Sequence, residues 1–296
     1  MPRLNCSVSP LRLLLGAVRQ ASDGGVAPTP KKVSFVRGRP VRNRHSAHAF
    51  SQTTPIFQSR RMTKRKQTDA EPASNCRQRQ KKQIPHTLAC RLFFERWLAI
   101  RPHDPIVSRD VGLFPPPAIS EAWIDAAFAK EDRTPEQQGL LALSDDLINE
   151  VSRADIIVIA TPMYNYGMPA ALKAWFDQVI RVNKTFTFDL TRGDQPLEPI
   201  LSGKVLVILT SSGEFGFGSG GINEGAGHLV PHIRTCSKYL GAPEIHHVGI
   251  EYQEFDDDRH RLSRNTARAT ISEIAADMSA QFSLAVESTV QSKTCL

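Results

Sequence analysis

Between Ala154 and Val182 the polar and apolar positions fall into three blocks: ADIIVIATP, MYNYGMP and AALKAWFDQVIRV. Ile156 to Ala160 is an unbroken apolar run rich in β-branched residues, the pattern of a parallel strand covered on both faces. Pro162 cannot donate to a ladder, so the strand is expected to stop near Thr161. Gly167 suits a turn and Pro169 the first turn of a helix. Leu172, Trp175, Phe176, Val179 and Ile180 then recur at helical spacing. A second buried strand, KVLVIL, is read over Lys204 to Leu209.

The same reading predicts the flanking elements. Leu88, Leu92, Phe93, Trp97 and Leu98 form a helical stripe that begins near His86 and ends before Pro102. Pro105 to Val111 reads as a short strand, and Ser120 to Phe128 as a helical piece within a long connection. Thr134 caps a helix with Pro135 at its first position, and Leu140, Leu141, Ile148 and Val151 make its buried side. Lys184 to Asp189 alternates as an extended piece. A helix over His228 to Leu240 is closed by Gly241, a last strand spans Glu244 to Glu251, and a last helix Ala267 to Phe282. Strands alternating with helices predict an α/β doubly wound parallel sheet with helices on both faces.

Two loops carry candidate chemistry. Met163, Tyr164, Asn165 and Tyr166 leave the first buried strand at its carboxyl end, where open α/β sheets bind ligands. Aromatic rings, an amide and backbone N–H groups suit a flat aromatic ligand, although a turn with incidental aromatics fits the loop alone. Ser211, Ser212, Gly213 and Glu214 leave the second strand and open a stretch with five glycines between Gly213 and Gly221. It lacks the Gly-Lys-Ser/Thr ending of a nucleotide loop, and the dinucleotide fingerprint is absent. No Ser-His-Asp set or paired acid and base is assigned. No metal site is expected. His246 and His247 point to opposite faces of a strand, and His228 and His232 have helical spacing without a supporting carboxylate motif.

Charge divides the chain. Residues 1–68 hold fourteen Lys/Arg and one acid, a net +13, whereas the remainder is −6 within a total of +7. The basic balance belongs to the first segment and says nothing of nucleic acid for the folded domain. Residues 1–85 are read as a disordered basic extension with an Arg-rich, acid-poor composition like a mitochondrial transit peptide, and with Met62 as an alternative start. Residues 86–285 are expected to form the domain and 286–296 a flexible tail. No run of about 18 apolar residues suggests a membrane span. Five scattered cysteines give no disulfide framework or zinc pattern, which fits a reducing compartment.

PMYNYGMPAALKAWFDQVIRV, the TFTFD that follows and LTSSGEFGFGSGG together resemble the FMN-dependent NADH-azoreductase and NAD(P)H:quinone oxidoreductase family, from about His86 to Gln281. The resemblance implies a flavodoxin-like fold. It implies FMN bound without a covalent bond along Met163, Tyr164, Asn165 and Tyr166, and against Ser211, Ser212, Gly213 and Glu214. It also implies NADH or NADPH as donor, ping-pong two-electron reduction of a quinone or azo compound, and a homodimer. A cytoplasmic site is expected, or a mitochondrial one if the Arg-rich start is a transit peptide. The family opens with a central strand and a serine-containing phosphate loop. Here no strand precedes the first helix closely, and Lys32 to Val36 is the only strand-like alternative. If that strand is missing the sheet has a gap at its centre, with Ser74, Asn75, Arg77, His86 and Thr87 as partial substitutes at the phosphate. The alternatives are a non-catalytic flavin-binding relative with an incomplete phosphate site, and a nucleic-acid-binding protein acting through its basic arm.

Overall fold

The structure is a computed structural model that describes the backbone of Arg12–Gly16 and of residues 85–294, with side chains over 85–282. The elements run β1 (Arg12–Gly16), α1 (Pro85–Ile100), β2 (Ile106–Asp110), α2 (Glu121–Ala127), α3 (Pro135–Arg153), β3 (Ile156–Pro162) and α4 (Ala170–Val179). They continue with β4 (Phe186–Phe188), β5 (Leu197–Pro199), β6 (Val205–Ser211), α5 (Leu229–Ser237), β7 (Glu244–Ile250) and α6 (Asp258–Thr294). Five strands form one sheet in the order β2-β1-β3-β6-β7, and β4 and β5 form a separate ribbon.

Period-two alternation in β3 and β6 divides the core between two faces. Ile157, Ile159, Leu206 and Ile208 point to one layer, where Leu147 and Val151 of α3, Leu172, Trp175 and Phe176 of α4, and Ile233 of α5 complete the packing. Ile156, Val158, Ala160, Val205, Val207 and Leu209 point to the other, against Phe93 and Trp97 of α1 and Ile271, Ala275 and Met278 of α6. Every residue of β3 and β6 is buried, so these runs show no polar face.

Local signals set the helix ends. The Thr134 side chain accepts from the Gln137 N–H while the Gln137 side chain accepts from the Thr134 N–H, a reciprocal cap of about 1 kcal/mol. At the other end of α3, Lys204 donates through Nζ to the carbonyls of Ser152 and Ala154 at 2.8 and 2.7 Å. Burial pushes that ammonium pKa down. Leu140, expected inside, is 41% exposed, whereas Leu141 is buried against Trp123 and Ala126. Adjacent helical positions lie about 100° apart, and α2 covers only one of them. The segment expected as one helix from His228 ends as α5, and a 3-10 turn (Lys238–Leu240) follows it.

Two departures are larger. The centre of the sheet has no gap: β1 fills it, pairing antiparallel with β2 and with β3. β1 lies within residues 1–85, expected as a disordered basic extension, and Lys32–Val36 lies outside the described residues. Arg12 pairs with Ala160 and Gly16 with Ile156, so β1 leaves the sheet at the end opposite the β3 exit. The other four sheet strands share one direction. At the chain's other end α6 is much longer than Ala267 to Phe282 and runs on through Thr294. The Asp257 carboxylate receives the Arg259 and His260 N–H groups and starts α6 inside a polar stretch without apolar periodicity.

Candidate active site

β3 and β6 are parallel neighbours, and their exits coincide: Pro162 pairs with Ser211, and the Met163 N–H donates to the Ser211 carbonyl at 2.8 Å. The first exit closes on itself at once. Tyr164 and Gly167 exchange both backbone hydrogen bonds, at 2.8 and 3.1 Å, with Asn165 at φ 46° and Tyr166 at φ 63° between them. Two left-handed residues inside a reciprocal pair make a type I′ turn. Asn tolerates that conformation, but Tyr166 adopts it at a cost on the order of 1–2 kcal/mol. A bond from the His228 N–H to the Tyr166 carbonyl, 2.7 Å, holds it there. Both tyrosine side chains stay about half exposed, while Met163 packs partly into the core.

The second exit is longer and tied from outside. The Ser212 N–H donates to the Ile250 carbonyl at 3.0 Å, and the Ser212 hydroxyl donates to the Glu214 carbonyl at 2.9 Å. The Gly216 N–H donates to the Glu251 carboxylate at 3.2 Å. Asn223 Nδ2 donates to the Phe215 carbonyl at 2.8 Å. A Cβ on Gly221 would lie 2.2 Å from the Gly216 carbonyl oxygen, so the loop crosses itself where no side chain fits. The two exits are also joined directly. The Tyr166 hydroxyl donates to the Glu214 carboxylate, 3.2 Å from each oxygen, and the Tyr166 ring meets the Phe217 ring edge-on at 6.2 Å. The hydrogen bond to Glu214, followed by the carboxylate's charge, raises the phenol's pKa.

The eight residues singled out in the sequence thus converge at one end of the sheet, in different postures. Tyr164, Asn165, Tyr166, Gly213 and Glu214 line the mouth. Ser211 is buried beneath it, its hydroxyl 2.8 Å from Nδ1 of His86, which is fully buried in the first turn of α1. Of the residues considered for a phosphate, His86 and Thr87 stand in that turn, and Ser74, Asn75 and Arg77 lie outside the described residues. His246 pairs with the Glu244 carboxylate and His247 with the Thr210 hydroxyl. Among the described residues no three His, Cys, Asp or Glu side chains gather as metal ligands.

One contributor was missed from sequence: the loop after β7, with Glu254 packed over Gly213 so closely that a Cβ there would meet its Cγ at 2.6 Å. Its signal was present in EYQEFDD, an aromatic and acidic cluster at a third strand exit.

A family model described as the flavodoxin-like fold matches residues 79–274. An FMN-dependent NADH:quinone oxidoreductase of Idiomarina loihiensis is 58% identical over 197 residues, spanning 66% of this chain and 82% of that protein. The chain belongs to this flavodoxin-like quinone oxidoreductase family. An FMN-dependent NAD(P)H:quinone oxidoreductase of Pseudomonas aeruginosa is 41% identical over 165 residues, 55% of this chain and 78% of its own. An azoreductase structure from Bacillus anthracis covers 70% of this chain and 94% of its own, with a TM-score of 0.58 and 20% identity, a likeness of fold.

The family's flavin fits the residues present. Among the described residues the N–H groups of Asn165, Gly213 and Glu214 make no hydrogen bond to the protein, and they stand on the loops that leave the two neighbouring exits. Donors held at fixed positions suit the carbonyl and nitrogen rim of a planar ring.

Proposed function

We propose that the chain is an FMN-dependent NAD(P)H oxidoreductase that reduces quinones or azo compounds, with its functional domain over residues 86–285. The observation that carries this is the coincidence of the β3 and β6 exits, with free amides and exposed aromatic rings between them. When bound, the flavin supplies two-electron chemistry between a nicotinamide donor and the acceptor. The chain's residues supply position. Met163, Tyr164, Asn165 and Tyr166 on one exit, with Ser211, Ser212, Gly213 and Glu214 on the other, would hold the ring. Ser211 acts from below through its bond to His86. The amides of Asn165, Gly213 and Glu214 would supply hydrogen-bond donors to the ring edge. Tyr166 keeps its proton toward Glu214 and shields the rim from water.

A second copy of the chain suits the exposed apolar side chains Ile124 and Phe128, which border a cavity of about 320 Å³ reaching Phe176, Ile180 and Cys236. Among the described residues no helix is long and apolar enough to cross a membrane. A cytoplasmic setting, with NAD(P)H at hand, suits this reading.

Titrating the full chain with FMN, then adding NADH anaerobically followed by a quinone or azo dye, tests the assignment. Bound flavin that bleaches with NADH and is reoxidised by the acceptor is the expected result; a chain that takes up no FMN overturns it. A second reading, a flavin-binding relative without turnover, draws on the reversed β1, whose exit does not lead into the first turn of α1. Flavin uptake without NADH bleaching selects it.

A further inference from the structure

The loop after β7 decides which way the glycine-rich loop faces. The Gln253 N–H donates to the Ser212 carbonyl at 3.1 Å, Glu254 to Gly213 at 3.3 Å, and Tyr252 to Glu214 at 3.3 Å. In a planar trans peptide, the carbonyl of one residue and the N–H of the next point in opposite directions. Holding the Ser212 and Gly213 carbonyls against 253 and 254 therefore turns the Gly213 and Glu214 N–H groups away from that loop, and among the described residues neither N–H makes a hydrogen bond to the protein.

What holds the outer loop is not local propensity. Tyr252 and Asp256 both sit at positive φ, 63° and 50°. The Tyr252 ring stacks on Phe215 at 4.2 Å and 15°, and Phe255 meets both rings edge-on at 5.6 and 5.9 Å. The Arg259 guanidinium lies over all three rings, 4.6 Å from Phe255, 5.1 Å from Tyr252 and 5.8 Å from Phe215. Asp257 fixes it from the other side through Nε at 2.9 Å and Nη2 at 2.6 Å. Phe215 belongs to the glycine-rich loop and the other two rings to the outer loop, so the guanidinium fastens one loop to the other. A flat cation on ring faces suits arginine and not lysine.

We propose that Arg259 is a positioning residue: by clamping Phe215, Tyr252 and Phe255 it aims the Gly213 and Glu214 amides at the edge of the bound flavin. The inference rests on the flavin seat proposed above. It gives Arg259 an effect on flavin affinity and potential although its side chain is half exposed and its guanidinium pairs with Asp257 in the outer loop.

The test compares full-length wild type, Arg259→Ala and Arg259→Lys by FMN titration, flavin midpoint potential and apo-protein melting. Arg259→Ala is expected to weaken FMN about tenfold and to make the potential more negative, with melting within about 2 °C of wild type. Arg259→Lys is expected to recover less than half of the loss. Wild-type affinity and potential in Arg259→Ala overturn the proposal, as does a melting drop that accounts for the lost affinity. Failure of wild type itself to take FMN overturns the flavin seat and the proposal with it, and so is told apart from failure of Arg259 alone.

Discussion

The turn Tyr164–Gly167 and the loop opening at Ser212 leave neighbouring strands at the same level, yet they obtain their shapes differently. The turn closes within four residues, through two reciprocal bonds and two left-handed backbones. The loop borrows its shape from residues 251–254 and from a self-crossing at Gly216 and Gly221. One site edge thus closes within its own four residues, braced only at Tyr166 by the His228 N–H, and the other takes its shape from contacts some forty residues apart. Mutations at Asn165 should act within the turn, whereas mutations at the loop crossing should disturb every donor on that side.

Gly221→Ala should break this contrast most severely. Its Cβ would fall 2.2 Å from the Gly216 oxygen, so the crossing must open. FMN affinity should fall about 100-fold, or about 2.7 kcal/mol, with melting lowered by no more than about 4 °C because the core is untouched. Flavin titration beside calorimetry checks it, and near-normal affinity would show that the crossing does not shape the site.

Asn165→Ala comes next. Forcing alanine to φ near 46° costs about 1 kcal/mol, so affinity should drop about fivefold, with slower NADH turnover. Asn165→Gly sharpens the point: glycine adopts that φ freely and should bind FMN nearly as wild type. An equal loss in both variants would mean that the Asn side chain contacts the ligand and that the turn is not the cause.

The smallest effect is expected for Tyr166→Phe, which removes the side-chain hydrogen bond that joins the two edges. The affected group is exposed, so FMN affinity should change about two- to threefold. Its pH dependence has a definite sign. The phenol's pKa is raised above its ordinary 10.0, so the bridge contributes fully below that value and is lost as pH rises through the folded one. A phenolate absorbance titration of wild type against Tyr166→Phe should find this tyrosine among the last to ionise.

The elements legible in advance are those whose cause is local. Thr134 with Pro135 announced α3, and unbroken β-branched runs announced β3 and β6. Leu140 was misread because apolar character does not say which of two adjacent helical positions a neighbour covers. The start of α6 was missed because Asp257 caps a turn of charged residues. The strand filling the sheet centre was taken for something else, since a short apolar run carries no mark of its partner or direction. Likewise neither the His86 contact with Ser211, 125 positions away, nor the clamp of Arg259 on Phe215 leaves a periodic trace.

By itself, the sequence determined two buried strands, the polar and glycine-rich segments leaving them, and the amphipathic helices that cover the sheet. Those follow from backbone sterics and from apolar spacing, which act over a few residues. Only the tertiary structure decided that the two exits meet in register, that Tyr166 reaches Glu214, and that a third loop holds the Ser212, Gly213 and Glu214 carbonyls. Hydrogen bonds and ring contacts between distant segments form only once the sheet has brought those segments within a few ångströms of one another.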